Sequence, residues 1–469
     1  MTATATKNAA SESAAVWGSV VLLALLALFT GMALFQSGAG IFFRVPLNFN
    51  EGWNAYFARA VFDGPLYLPY EAPVSNNYPP LSFYLIGGLA RLGGDPIYIG
   101  RVMSALSLLA VAVNIYAVLR VFAVDRLAAA SIGIAFLGFM AIGMPDYIAT
   151  NDPQWLAHAV MLTGFTVFLR GYPGRGAVIA GALLMLAAGL IKHTLLPLPL
   201  AVTVWLALYD RPRFRLWLAV CVAGGAAAVA LIWALHGTVA LEAILVQKRQ
   251  YRLLQVVNAL YQHVVPTIPL LALFFVSGVP IDRRTRLLLL NAAIALVWDV
   301  YTMSAVGVAE NGILDYFIAV ALLTGLALGR LSAMNRAYAL AAIALPIVVV
   351  TCNLPKPHRV PQWYQRLEAG FKEDEALVRS VAGPALCYTS ALCFWAGKRF
   401  EYDPFNTWVK MTVNPALRGE IVAKIRAKYF AIVQFNNLDI LPDEVASAIR
   451  QDYVLIRTGR TGRRFYRPK

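Results

Sequence analysis

Three charged residues stand at the edges of strongly apolar runs. They are Glu51 in "LNFNEGWNAYFARAV", Asp152 in "TNDPQW" and Lys192 in "AAGLIKHTLLPLP". A carboxylate there can take a proton from a hydroxyl, and an ammonium can neutralise an anion. Other groups fall in similar places: Asp146, His193, then Lys248, Arg249 and Arg252 in "VQKRQYRLL", and Glu310 and Asp315 in "AENGILDYF". An ionisable group beside lipid is costly, so it faces a cavity or a partner. The set therefore predicts one wet pocket, with Glu51 and Asp152 as candidate catalytic acids and bases. Lys192, His193, Arg249 and Arg252 are the candidates for holding a phosphate. Each residue also has a plainer role open to it. Asp152 can cap a helix that starts at Pro153, Asp146 can serve a turn, and Glu310 and Asp315 can cap the next apolar run. Lys192 can snorkel to the surface, and "QKRQYR" can face lipid headgroups.

These residues need positioning elements, and the composition says what kind. Of 469 residues, 59% are hydrophobic and 14% charged, with mean hydropathy +0.63. Soluble proteins carry about a quarter charged residues. The apolar excess comes as about eleven runs of spanning length, at 16–36, 98–120, 127–145, 153–170, 176–191, 194–209, 216–236, 264–280, 287–305, 313–330 and 337–352. The chain thus reads as a helical multi-pass membrane protein. Its polar start precedes a run long enough to be retained as a span, unlike a cleaved signal peptide. The net charge of +15 fits the positive-inside rule and gives no reason to invoke nucleic acid.

Arginines fall on every second short turn, at 120–126, 170–175, 211–215, 283–286 and 330–336, whereas the turns at 145–153 and 305–313 hold no Lys or Arg. That alternation predicts a cytoplasmic N-terminus in the inner (plasma) membrane, and puts the segments with the candidate residues on the extracytoplasmic, periplasmic side. In the long loop 37–97, "NEGWNAYFARAVFDGPLY" and "YPPLSFYLIGGLARLGG" read as two surface helices, rich in tyrosine and punctuated by Pro and Gly. After residue 352 charges return, and β-like runs ("PALCY", "KYFAIVQF", "DYVLIR") alternate with helical ones. A division follows: 1–352 as the membrane domain and 353–469 as a small outer α/β domain. Cys387 and Cys393 lie in that tail and can pair in an oxidising space or stay free.

No Walker loop, GxGxxG, HExxH or GxSxG occurs, which argues against nucleotide enzymes, zinc proteases and serine hydrolases. In layout the chain resembles the bacterial GT-C class of polytopic glycosyltransferases, related to protein O-mannosyltransferases and lipid A aminoarabinose transferase. The resemblance rests on "NFNEGWNAYFARA", "NNYPPLSFYLIGGLARLGGDPIYIGRVMSALS", "TNDPQW", "LIKHTLLPLP" and "LCFWAGKRFEYDPF". It implies transfer of a sugar from a polyprenyl-phosphate donor, with inversion, to a lipid, glycan or protein acceptor outside the cytoplasm. It also implies a base in the first loop, Glu51 here, with Asn54, Asn77 and Tyr78 on the substrate side alongside Glu310 and Asp315. The family's usual Asp-Glu pair is broken, because Asn50 stands where the aspartate would be. Glu51 then acts alone or with Asp152. No cofactor is required, although a divalent cation on Asp152 or Glu51 fits the chemistry. Two other classes remain: a flippase for a lipid-linked saccharide, and a non-catalytic assembly subunit. A transporter would show two similar halves, and these halves do not match.

Overall fold

The computed structural model describes residues 2–69, 71–246, 249–403 and 406–469; Lys248 lies outside them. The bundle comprises α1 (Thr2–Gly38), α4 (Pro96–Val121), α5 (Arg126–Gly143), α6 (Gln154–Gly171), α7 (Arg175–Ile191), α8 (Pro197–Tyr209), α9 (Arg211–Leu245), α10 (Leu253–Ala259), α11 (Ile268–Val276), α12 (Arg283–Met303), α13 (Leu314–Arg330) and α14 (Ala333–Asn353). Between α1 and α4 lie the two helices expected in the first loop, α2 (Asn50–Asp63) and α3 (Leu81–Arg91); α2 is not a surface helix, because Glu51–Ala58 are all buried. Among the described residues, 8 helical segments are long and apolar enough to cross a membrane, and Arg175–Ile191 and Pro197–Tyr209 are shorter apolar helices. The expected span 264–280 becomes one segment, Leu253–Val276, reached through a π-helical turn at Leu260–Val264.

The arginine-bearing turns owe their sharpness to caps. Asp125 Oδ1 accepts from Ala128 N, Asp210 Oδ1 from Arg213 N and Asp282 Oδ1 from Thr285 N, at 3.0, 3.1 and 2.7 Å. Each cap satisfies an orphan amide at the start of a bundle helix. Helices α6 and α7 approach closely because Gly164 and Gly181 face one another: a Cβ on either would meet the other's carbonyl oxygen at 3.0–3.1 Å. Small residues at a crossing are how apolar helices gain contact when lipid supplies no hydrophobic drive. The centre of the bundle is Glu310–Arg330, whose apolar window is 72% buried, against 6% for Arg211–Leu245 at the rim. Asp315 is thus carried on the most enclosed helix. Within α9, Gly237 holds φ +74° and divides the helix in two. Only glycine takes that conformation readily, so Gly237→Ala should lower the melting temperature by an amount equivalent to about 1–2 kcal/mol. A thermal melt in detergent checks this.

Beyond α14 the long helix α15 (Val360–Ser380) leads into a four-stranded sheet, β1 (Ala385–Cys387), β2 (Ile432–Phe435), β3 (Tyr453–Thr458) and β4 (Arg464–Pro468), ordered β1-β2-β4-β3. The first pair is parallel and the others antiparallel. Helices α16 (Ser390–Trp395), α17 (Asn406–Val413), α18 (Pro415–Arg426) and α19 (Asp443–Asp452) complete it. Cys387 and Cys393 form a disulfide. This region docks on α2: Gly52 packs against the backbone of Ser390 and Ala391, and Trp53 Nε1 donates to Asp403 Oδ2 at 2.9 Å.

Candidate active site

Glu51 begins α2 and is completely buried. Both its oxygens are in use. Oε1 accepts from Arg101 Nε at 2.7 Å and Asn151 N at 3.1 Å. Oε2 accepts from Arg101 Nη2 and Leu47 N, each at 2.7 Å. Arg101 of α4, also fully buried, donates further to the carbonyls of Gly40, Phe43 and Val45. The pair therefore ties the 40–47 loop, α2, α4 and the 151 turn together. Glu51 does not line the cavity next to it.

That cavity, about 390 Å³, is lined by Asn50, Asn77, Tyr78, Gln154, Lys192, His193, Arg249, Asp299, Asn311, Asp315 and Asn406, with Leu195, Leu196, Ile244, Leu245, Trp298 and Tyr301 as apolar wall. Lys192 reaches it because α7 stops at Ile191, and residue 192 is extended before Pro197 starts α8. Its ammonium donates to Gln154 Oε1 and lies 5.2 Å from the centre of the Tyr78 ring. The same Gln154 oxygen accepts from Asn311 Nδ2 at 3.2 Å, and Gln154 Nε2 lies 2.7 Å from His158 Nε2. On its other side, His158 Nδ1 is 3.6 Å from Asp315 Oδ1. Helix α6, the 192 segment and the 310–313 turn thus meet through one side-chain amide, and His158 carries the contact on to Asp315.

Burial lowers the Lys192 pKa, opposed by the charges of Asp152 and Asp315. Burial, aided by Lys192 and Arg249, pushes His193 down to about 4, leaving a neutral ring whose buried Nδ1 has no partner. Burial also lowers Arg249, whose Nη1 donates to the Val306 carbonyl at 3.5 Å. Tyr78 is raised by burial and by the charge of Asp152. Among the described residues neither Lys192 nor Arg249 is in an ion pair, and two such cations in a partly apolar hollow are suited to an anionic ligand.

Asp152 sits just behind the lining. Its Oδ1 accepts from Gln154 N at 2.9 Å, at the start of α6, while Oδ2 accepts from Asn50 Nδ2 at 3.3 Å. Asn50 itself faces the cavity. Asn54 is buried, donating to the carbonyls of Asn50 and Asn151, and positions rather than lines. Arg252 is exposed, outside the cavity, and its backbone N–H donates to Ser304 O at 2.9 Å. Glu310 and Asp146 line a separate hollow.

Sequence reading passed over Gln154, His158, Asp299, Asn311 and Asn406. Gln154 and His158 are four apart on an otherwise apolar helix, and Asp299 is an acid in mid-run ("ALVWDVYTM"). These were legible signals, missed because attention went to the ends of runs. Asn406 gave none, since it arrives from the C-terminal region. Among the described residues no group of three or more His, Cys, Asp or Glu side chains converges. Asp299 and Asp315 are the carboxylates on the cavity wall, and a divalent cation there would need further ligands from amide or phosphate oxygens.

The architecture is the GT-C fold: a bundle of apolar helices followed by a small C-terminal four-stranded sheet, with Asn406 of the C-terminal region reaching the polar hollow. The lipid A aminoarabinose transferase ArnT from Cupriavidus metallidurans, in its apo state, matches over 94% of this chain and 97% of its own, with TM-score 0.62 and 15% identity. ArnT bound to undecaprenyl phosphate matches with TM-score 0.61 and 16% identity over the same shares. An oligosaccharyltransferase from Archaeoglobus fulgidus is a more distant likeness, with TM-score 0.48, 11% identity, and coverage of 96% of this chain and 74% of that one. No family model and no curated protein matches the sequence.

Proposed function

We propose that this chain is an inverting glycosyltransferase that moves a sugar from a polyprenyl-phosphate donor to an acceptor hydroxyl on the extracytoplasmic face. The observation that carries the reading is the pairing of Lys192 and Arg249 with the apolar wall of Leu195, Leu196, Ile244 and Leu245 in one cavity. That combination suits a phosphate on a lipid tail, and ArnT, whose fold this chain shares, has a structure bound to undecaprenyl phosphate. In the reaction the acceptor O–H gives its proton to Asp152 Oδ2. The oxygen attacks the anomeric carbon opposite the phosphate, and the C–O bond to phosphate breaks. Lys192 and Arg249 take up the charge left on the departing phosphate. In this reading Asn50 and Asn77 hold sugar hydroxyls, and the Glu51–Arg101 pair fixes the start of α2, which carries Asn50. A divalent cation, if bound, would sit at Asp299 and Asp315. The donated group is a hexose or pentose.

The test is release of polyprenyl phosphate. Reconstituted protein is given synthetic decaprenyl-phosphate hexoses and pentoses with a cell-envelope extract as acceptor, and products are read by mass spectrometry. Movement of the intact donor between leaflets without release would point to a flippase instead. Lys192→Ala should weaken decaprenyl phosphate binding by about tenfold or more, the scale of one lost charge-assisted hydrogen bond. Wild-type affinity should also fall as pH rises through the lowered Lys192 pKa, because the neutral amine no longer attracts phosphate. In Lys192→Ala that fall should vanish. Fluorescence titration across pH with both proteins measures this, and identical curves would remove Lys192 from the site.

A further inference from the structure

A second hollow of about 610 Å³ adjoins the first, sharing Phe49, Val308 and Ala309 as a common wall. Its polar lining includes Asn48, Asp146, Gln255, Asn258, Gln262, His263 and Glu310. No lysine or arginine belongs to it among the described residues. This contrasts with the first cavity, which holds Lys192 and Arg249.

The polar stripe is not what its helix requires. Gln255, Asn258 and Gln262 fall at i, i+3 and i+7 of a segment apolar enough to span a membrane, so they share one face. Leu253, Leu254, Val257 and Tyr261 on the same segment are more than half exposed, as lipid-facing residues would be. Within a bilayer, polar side chains are kept where they line a cavity. Gln262 and His263 sit in the π-helical turn at Leu260–Val264 and both line the hollow; such turns recur at functional sites. None of the three carboxamides has a protein hydrogen-bond partner among the described residues. Each offers a donor and an acceptor in one plane, which matches neighbouring hydroxyls of a sugar ring. Phe49 and Tyr147 supply flat apolar surface on the same walls.

We infer that this second hollow seats the acceptor, and that the acceptor is an uncharged or amino-bearing saccharide rather than an anionic one. The inference rests on the transferase reading. Two carboxylates, Asp146 and Glu310, with no opposing lysine or arginine among the described lining residues, repel phosphate- or carboxylate-bearing acceptors and welcome hydroxyls or an ammonium. An acceptor seated there extends a hydroxyl across Phe49 toward Asn50 and Asp152, while the donor occupies the cationic side.

The probes are three trisaccharides: N-acetylglucosamine trimer (neutral), glucosamine trimer (cationic) and trigalacturonate (anionic). Binding to the full-length protein in nanodiscs is followed by saturation-transfer NMR, with decaprenyl phosphate titrated in parallel. Expected is binding of the first two and none of the third. Asn258→Leu with Gln262→Leu should weaken the neutral trimer by about tenfold, the scale of one or two lost hydrogen bonds, with decaprenyl phosphate affinity and melting temperature unchanged. Glu310→Lys, at an exposed position, should reverse the preference toward trigalacturonate. Preference of the wild type for trigalacturonate, absence of saccharide binding, or binding indifferent to all of these substitutions would overturn the inference. Saccharide binding as expected without any decaprenyl phosphate binding would instead sink the transferase reading, and leave the saccharide site standing.

Discussion

Asp152→Asn should reduce sugar transfer by about 10²–10⁴-fold, the usual contribution of a positioned general base, with decaprenyl phosphate still bound. The substitution is well posed because the hydrogen bond at the start of α6 survives: the asparagine carbonyl can still accept from Gln154 N as Oδ1 now does at 2.9 Å. What is lost is the proton-accepting oxygen, Oδ2, which touches Asn50 Nδ2 at 3.3 Å. That contact permits a stronger version. In the double variant Asn50→Asp with Asp152→Asn, amide and carboxylate change places across the same contact, and the carboxylate now stands on the cavity wall. Recovery of at least part of the lost rate is expected in the double variant. A double variant as inactive as Asp152→Asn alone, at wild-type stability, would show that Asp152 does not accept the proton.

The second large effect is on folding. Glu51→Gln and Arg101→Met should each destabilise the protein by about 3–5 kcal/mol, the range for removing one partner of a buried ion pair. Glutamine turns one acceptor into a donor among donors, since Arg101 and the amides of Leu47 and Asn151 all point their N–H groups at residue 51. Arg101→Met leaves the carbonyls of Gly40, Phe43 and Val45 unpaired in the same place. Thermal melts and limited proteolysis of the first loop read the loss. Wild-type stability with activity abolished would return Glu51 to the chemistry and withdraw its role as a clamp.

Much of the architecture was legible. Apolar runs of spanning length gave the helices, arginines on every second short turn marked where they join, and alternating short runs after 352 gave the small sheet. Local periodicity and capping act within a few residues, so a linear reading can follow them. The partner of Glu51 was not legible, because Arg101 lies 50 residues away at the start of a span. A search for acids near oil finds Glu51 but says nothing about whether an arginine already holds it. The same reading looked for charges at the ends of runs, and so passed over Asp299 and His158 in their interiors.

The sequence by itself determined that this is a membrane-embedded helical chain, with sparse charges set at the margins of its spans, since hydropathy and turn chemistry are properties of neighbouring residues. Only the tertiary structure decided which of those charges share a hollow. It enclosed Glu51 with Arg101, brought Lys192 to Gln154, put Asn50 before Asp152, and carried Asn406 in from the C-terminal region. The physical reason is that a carboxylate's availability depends on which donors surround it in space. Those donors come from helices whose order along the chain does not fix their order around the cavity.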